Sequence, residues 1–291
     1  MDEGSPTSAS PDLPRGRRRI SADEARNRML AAARDIVFEL GMTVSLEDVS
    51  MEEVMRRAQV PRSSVYRLWP YKGDFVDDLL CHLAGPEWVG VSPGQARTLA
   101  VARDVIRANR DRLNSPEGRL AVTRETARQA IACSFEDLLS AKGWTFYFAL
   151  AGTIDYVRDA QARARIAAAL EESEQVRVRS LAAFYRELAG VVGLRLRDGY
   201  RFEHLALAGG ALLQGLLVRE IVARNSPRDQ SQSTDEDVQT PHRMLTHPLP
   251  GHGLDGETAD WSFAASAYLA IFESILEPDP NFSPADPPAN W

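Results

Sequence analysis

The sequence predicts an all-α fold in two parts, an N-terminal three-helix unit and a larger helical bundle. Three observations predict it. Apolar residues recur at three- and four-residue spacing from Met29 onward. Ser-x-x-Glu pairs and prolines punctuate that pattern where helices should start and stop. Beyond Gly85-Pro86 no alternating run of strand type interrupts it. With 291 residues, 44% hydrophobic and 26% charged, the chain can bury a sizeable core without disulfide or metal staples. Cys81 and Cys133 are far apart and in no metal-ligand spacing, as expected of a cytoplasmic protein. The polar N-terminus has no apolar leader, and the run from Leu205 to Val218 is short for a bilayer, so no membrane association is expected.

Residues 1–14 are rich in Pro, Ser and Asp and are expected to be disordered, followed by a basic arm of Arg15, Arg17, Arg18 and Arg19. Ser21 and Glu24 form a capping box for a first helix carrying Met29, Ala33, Ile36, Val37 and Leu40 inward, with Gly41 as its stop. Ser50 and Glu53 open a second, short helix with Val54 and Ala58 inward. Gln59-Val60-Pro61 breaks it, and a third helix runs from Arg62 to about Trp69, where Pro70 closes it. A fourth spans about Gly73 to Leu83, with Phe75, Leu79 and Leu80 inward. Residues 15–84 thus form one domain. Residues 85–276 form the second, with helices expected over about 95–113, 117–140, 143–158, 160–190, 200–224 and 258–276. Within it, polar residues 225–257 read as a flexible insertion, and residues 277–291 as a disordered tail.

Net charge is −7, yet residues 15–73 hold twelve Arg/Lys against eight Asp/Glu, while the remainder holds 22 against 33. A basic segment on an acidic body suits a polyanionic partner. Two short helices joined by a tight turn after a longer bracing helix make a helix-turn-helix, so double-stranded DNA is the expected partner. Arg62, Ser63, Ser64 and Arg67 stand where a recognition helix meets base edges, with Val65 and Leu68 turned back to the core. Tyr66, Lys72 and Ser50 are candidate phosphate contacts, and Arg18 and Arg19 belong to an arm that can follow the backbone or enter the minor groove.

The run Arg56-Arg57-Ala58-Gln59-Val60-Pro61-Arg62-Ser63-Ser64-Val65-Tyr66-Arg67-Leu68-Trp69-Pro70-Tyr71-Lys72-Gly73-Asp74-Phe75 resembles the helix-turn-helix signature of TetR-type transcriptional regulators, in the form common in actinobacterial members. The likeness covers about residues 21–83. Gln59 stands where the family has a turn glycine, so a left-handed backbone there costs about 1 kcal/mol. Pro61 replaces the usual Ser or Thr, removing an N-cap hydroxyl.

The resemblance implies a helical ligand-binding and dimerisation bundle behind the DNA-binding unit. It also implies repression of a palindromic operator, relieved by a small-molecule effector. Trp144, Tyr147, Phe148 and Tyr156 on one helix, with Phe184, are the candidate ligand-binding residues, though each taken singly reads first as an ordinary core stripe. Ala206, Gly210, Leu213 and Leu217, with Phe272 in the last helix, are the candidate homodimer face. The competing reading packs both helices inside one subunit. No Gly-rich phosphate loop, HExxH pair, paired cysteines or elbow serine is present, so neither enzymatic activity nor a cofactor is expected. His242, His247 and His252 share no helical face, and no metal site is expected of them. A helical adaptor or an enzyme without DNA binding is the alternative reading.

Overall fold

The computed structural model describes residues 20–40, 49–86, 93–225 and 247–283. The arm with Arg18 and Arg19, Gly41, most of the 225–257 insertion and the last eight residues lie outside them. Of the described residues 77% are helical, as an all-α fold requires. Its contacts divide it into two compact units, Met1–Leu79 and Leu80–Trp291, the boundary falling inside the fourth helix rather than after it.

The first unit contains α1 (Ala22–Leu40), α2 (Met51–Ala58), α3 (Arg62–Leu68) and the start of α4 (Lys72–Ala84). Met29, Ala33, Ile36 and Val37 of α1 are buried, and α1 packs on both α2 and α3. Leu40, expected inward, is exposed at the end of α1. The Ser21 and Ser50 hydroxyls accept from the amides of Glu24 and Glu53, at 3.1 and 3.3 Å. Neither carboxylate returns the bond as a capping box would. Glu24 pairs with Arg28, and Glu53 with Arg56 and Arg57. Those two guanidiniums hold the Glu53 carboxyl down to about 2.

Gln59 ends α2 in the left-handed conformation, φ 54° and ψ 38°, and its amide bonds to Met55 O. Pro61 occupies the N-cap of α3 with no side-chain cap, as its ring dictates. Pro70 keeps Trp69 out of the helical region, at φ −130°, so α3 stops at Leu68.

The second unit takes the last turn of α4, then α5 (Pro93–Ala108), α6 (Pro116–Ser140), α7 (Lys142–Thr153), α8 (Ala160–Val192), α9 (Phe202–Arg224) and α10 (Phe263–Ile275). One core joins Val122 of α6, Tyr185 and Leu188 of α8, Leu205 and Leu213 of α9, and Tyr268 and Phe272 of α10. A second joins Ala84, Trp144, Tyr147, Ile166, Leu170 and Leu217. By length and composition α9 could cross a bilayer, but Leu205, Ala206, Leu213, Leu216 and Leu217 are buried against α8, α10 and α6.

Four short strands correct the strand-free expectation. Strands β2 (Leu249–His252) and β3 (Thr258–Trp261) form an antiparallel hairpin where flexible chain and the start of a helix were expected. A ribbon of two strands consists of edges, which tolerate Pro250. The Trp261 indole donates to His252 O at 3.1 Å, and Arg112 pairs with Asp255 in the connecting turn. The last helix therefore starts at Phe263, capped by Ser262, not near 258.

The tail expected to be disordered from 277 is instead placed through residue 283. Strand β4 (Leu276–Pro278) pairs with β1 (Leu194–Leu196), and Arg195 and Arg197 both reach Glu277, at 2.6 and 2.9 Å. Gly193 ends α8 at φ 67°, and a Cβ there would overlap Phe282 and Arg119. Buried Arg119 donates to Asp279 O at 3.1 Å and stacks over the Phe282 ring at 5.3 Å. Proline content signalled disorder, but these long-range contacts outweigh it.

A left-handed glutamine is strained relative to glycine, so Gln59→Gly should stabilise the first unit by about 0.5–1 kcal/mol. An unchanged or lowered urea midpoint for α2 and α3 would show that the left-handed turn carries no strain.

Candidate functional site

Helix α3 has two distinct faces. Val65 is 0% exposed and Trp69 2%, whereas Arg62, Ser63, Tyr66 and Arg67 are exposed and Ser64 is half-buried. Spacing of three and four residues puts the inward pair on one side and leaves the polar set on the other. Leu68, expected in the core, is only half-buried; Trp69 takes its place.

The Trp69 anchor was not anticipated. Its ring meets Phe75 edge-to-face at 5.1 Å, and its indole N–H donates to Asp78 Oδ2 at 2.7 Å. Arg26 of α1 pairs with the same carboxylate, its guanidinium 6.0 Å from the Trp69 ring centroid. One buried acid thus ties α1, the end of α3 and α4 together. A tryptophan beside a proline reads from sequence as a helix stop, and nothing local reveals its distant partner.

On the outer face Arg62 lies over the Tyr66 ring at 5.3 Å, its Nη2 3.5 Å from the phenol oxygen and 3.8 Å from Glu52. Arg67 has no acidic partner among the described residues. By contrast Arg56 and Arg57 are occupied by Glu53 and Glu39. Lys72 begins α4 exposed, and exposed Ser50 caps α2. Arg18 and Arg19 fall outside the described residues. A short helix with outward guanidiniums, hydroxyls and a phenol can donate hydrogen bonds to base edges and phosphate oxygens.

The second unit encloses a cavity of about 140 Å³ between α5, α6, α7, α8, α9 and α10. Trp144, Phe148 and Phe184 line it. Tyr147 and Tyr156 do not, correcting two of the five expected ligand contacts. Tyr147 is buried with its ring edge against Trp144 and Phe148. Helix α7 ends at Thr153 and passes into a 3-10 turn, which throws Tyr156 outward, 82% exposed.

The expected dimer face is corrected as well. Ala206, Gly210, Leu213, Leu217 and Phe272 are all buried by the chain's own side chains, and the last four line the cavity. Gly209 and Gly210 stay small for an internal reason. A Cβ on Gly209 would overlap the Tyr268 ring, and one on Gly210 would overlap the Arg177 guanidinium. Surrounding helices supply the contacts that a sequence-only reading assigned to a partner subunit.

Arg177, Tyr185, Tyr268 and Gln214 also line the cavity and were missed. Arg177 and the tyrosines sit in helices whose periodicity reads as ordinary amphipathic packing. The signal that pointed toward them was the Gly209-Gly210 pair, an unfavourable choice inside a helix unless space is needed. His252 lies on β2 with its ring at Gly256 O, and His242 is outside the described residues.

Compared with protein-family models, curated proteins and solved structures, the chain matches none.

Removing the acceptor of a buried indole N–H leaves that donor without a partner, so Asp78→Ala should cost about 1–3 kcal/mol. Hydrogen exchange of the α3 amides checks this. Faster exchange is expected there, and unaltered protection would contradict the anchor.

Proposed function

We propose that this chain is a TetR-type DNA-binding regulator, a homodimer that represses a palindromic operator and releases it when a small molecule fills the cavity. The observation that carries this reading is the division of α3 into a buried Val65–Trp69 edge and an outward edge of Arg62, Ser63, Tyr66 and Arg67. A seven-residue helix fits a major groove about 12 Å wide. Arg62 and Arg67 take the base-reading role, while Ser63, Ser64, Tyr66, Lys72 and Ser50 fix position on the backbone.

The dimer requirement moves to residues that the subunit leaves uncovered. On α9 an outward apolar stripe runs through Leu207 (45% exposed), Ala211, Val218 (46%) and Val222 (65%), and Phe263 begins α10 38% exposed. A second copy of the chain covers that stripe and presents two recognition helices to two half-sites.

Ligand response has a physical route. Ser173 of α8 donates to Ala84 O at the end of α4, and Arg177 at the cavity lies one helical turn further along α8. A ligand that moves α8 pulls on the last turn of α4. An occupant preferring one position of α8 shifts the population between DNA-competent and released states.

Gel shifts on the DNA flanking the gene for this chain test the reading. Binding should weaken steeply with salt. Arg62→Ala should relax discrimination at one base pair by about 1–3 kcal/mol, whereas Lys72→Ala should weaken all sequences alike. Salt-insensitive binding, or equal losses on specific and random DNA from both changes, would contradict these roles. Val218→Glu should convert a dimer to a monomer in sedimentation without unfolding it. A monomeric parent chain refutes the dimer.

A further inference from the structure

The cavity wall specifies more than greasy volume. A hydrocarbon-lined cavity of about 150 Å³ admits one benzene ring, so about 140 Å³ admits a single-ring compound. Most of this wall is apolar: Leu99, Ile106, Ile131, Trp144, Phe148 and Leu213 among others. One patch is not. Arg177 is buried at 8% exposure, and Nε and Nη2 both donate to Glu174. Its Nη1 lies over Gly210 and has no acceptor among the described residues. Beside it the Tyr185 and Tyr268 hydroxyls bond to each other, and burial pushes both phenols up, so they remain protonated donors. Gln214, one turn beyond Gly210, has no hydrogen-bond partner among the described residues and also faces the cavity.

Holding this patch in place is costly. Two adjacent glycines inside α9 lose about 1 kcal/mol each relative to alanine, and they are what admits Tyr268 and Arg177 to the wall. A buried guanidinium also needs its donors satisfied. An apolar core would have required neither, so the donors are there to meet an acceptor.

Charge decides which acceptor. Glu174 neutralises Arg177, and the other ionised group on the wall, Asp137, pairs with Arg97 at 2.9 Å. The wall is therefore balanced, and an anionic occupant would bring an uncompensated charge out of water. We infer that the cavity takes an uncharged, single-ring apolar compound bearing one hydrogen-bond-accepting oxygen, of ketone or amide type, which receives Arg177 Nη1–H and the Gln214 amide. This deepens the effector half of the regulator reading, and its chemistry stands on the cavity alone.

Three probes of matched size test it by calorimetry on the full chain without DNA: acetophenone, ethylbenzene and benzoate. Acetophenone should bind about 10-fold or more tighter than ethylbenzene, the worth of one hydrogen bond from a charged donor. Benzoate should bind most weakly. Arg177→Met should erase the acetophenone preference while retaining ethylbenzene, whose binding reports an intact cavity. If that variant does not fold, Gln214→Leu should reduce the same preference at a half-buried position. Equal affinity for acetophenone and ethylbenzene, benzoate binding tightest, or no saturable binding of any probe at millimolar concentration overturns the inference. A gel shift on the same preparation separates the two readings: DNA binding without probe preference sinks only the ligand class, and probe preference without DNA binding sinks only the regulator.

Discussion

The carboxylate of Asp78 is the constraint on which the presentation of α3 depends. It accepts the Trp69 indole and the Arg26 guanidinium together, so the end of α3, the middle of α4 and the bracing α1 share one buried acceptor. Seven residues give too few internal hydrogen bonds for a helix to be stable alone. Val65 and Trp69 supply the burial, and Asp78 supplies the direction. With the inner edge held this way, the backbone that carries the outer guanidiniums and hydroxyls is fixed in direction.

The same economy governs the second unit. Small residues in α9 could have signalled either a partner helix or an internal neighbour. Tyr268 and Arg177 fill the space above Gly209 and Gly210, which settles those positions as internal. The exposed apolar face of α9 is the opposite one, through Leu207, Val218 and Val222. Arg177 and the phenols of Tyr185 and Tyr268 thus stand in an otherwise largely apolar cavity wall.

Local features were legible in the sequence. Ser50 as a cap and Val65 inward follow from short-range hydrogen bonding and spacing, whereas the left-handed Gln59 and the uncapped Pro61 were legible through the resemblance, which has a turn glycine and a hydroxyl there. Periodicity located the helices of the second unit, but α5 and α7 stop about five residues before their expected ends and α10 starts about five residues late. Long-range pairings were not legible. Strands β1 and β4 join residues about eighty positions apart, and their side chains, Arg195, Glu277 and Pro278, carry little strand propensity. The hairpin through Pro250 and Gly256 looked like a linker because breakers and turns use the same residues. Trp144, Phe148 and Phe184 reached the cavity as expected, but Tyr156 missed it because one helix ended a turn early. Arg177 could be found only after α8 and α9 were placed side by side.

The central claim is that α3 meets duplex DNA through its outward edge. Amide and side-chain NMR shifts of the full chain, followed while adding a duplex selected by the protein from a random-sequence pool, test it most directly. The account predicts perturbations concentrated at Arg62, Ser63, Tyr66 and Arg67, with Val65 and Trp69 moving little. Selection that enriches no sequence, or shifts that leave this edge untouched, would contradict it.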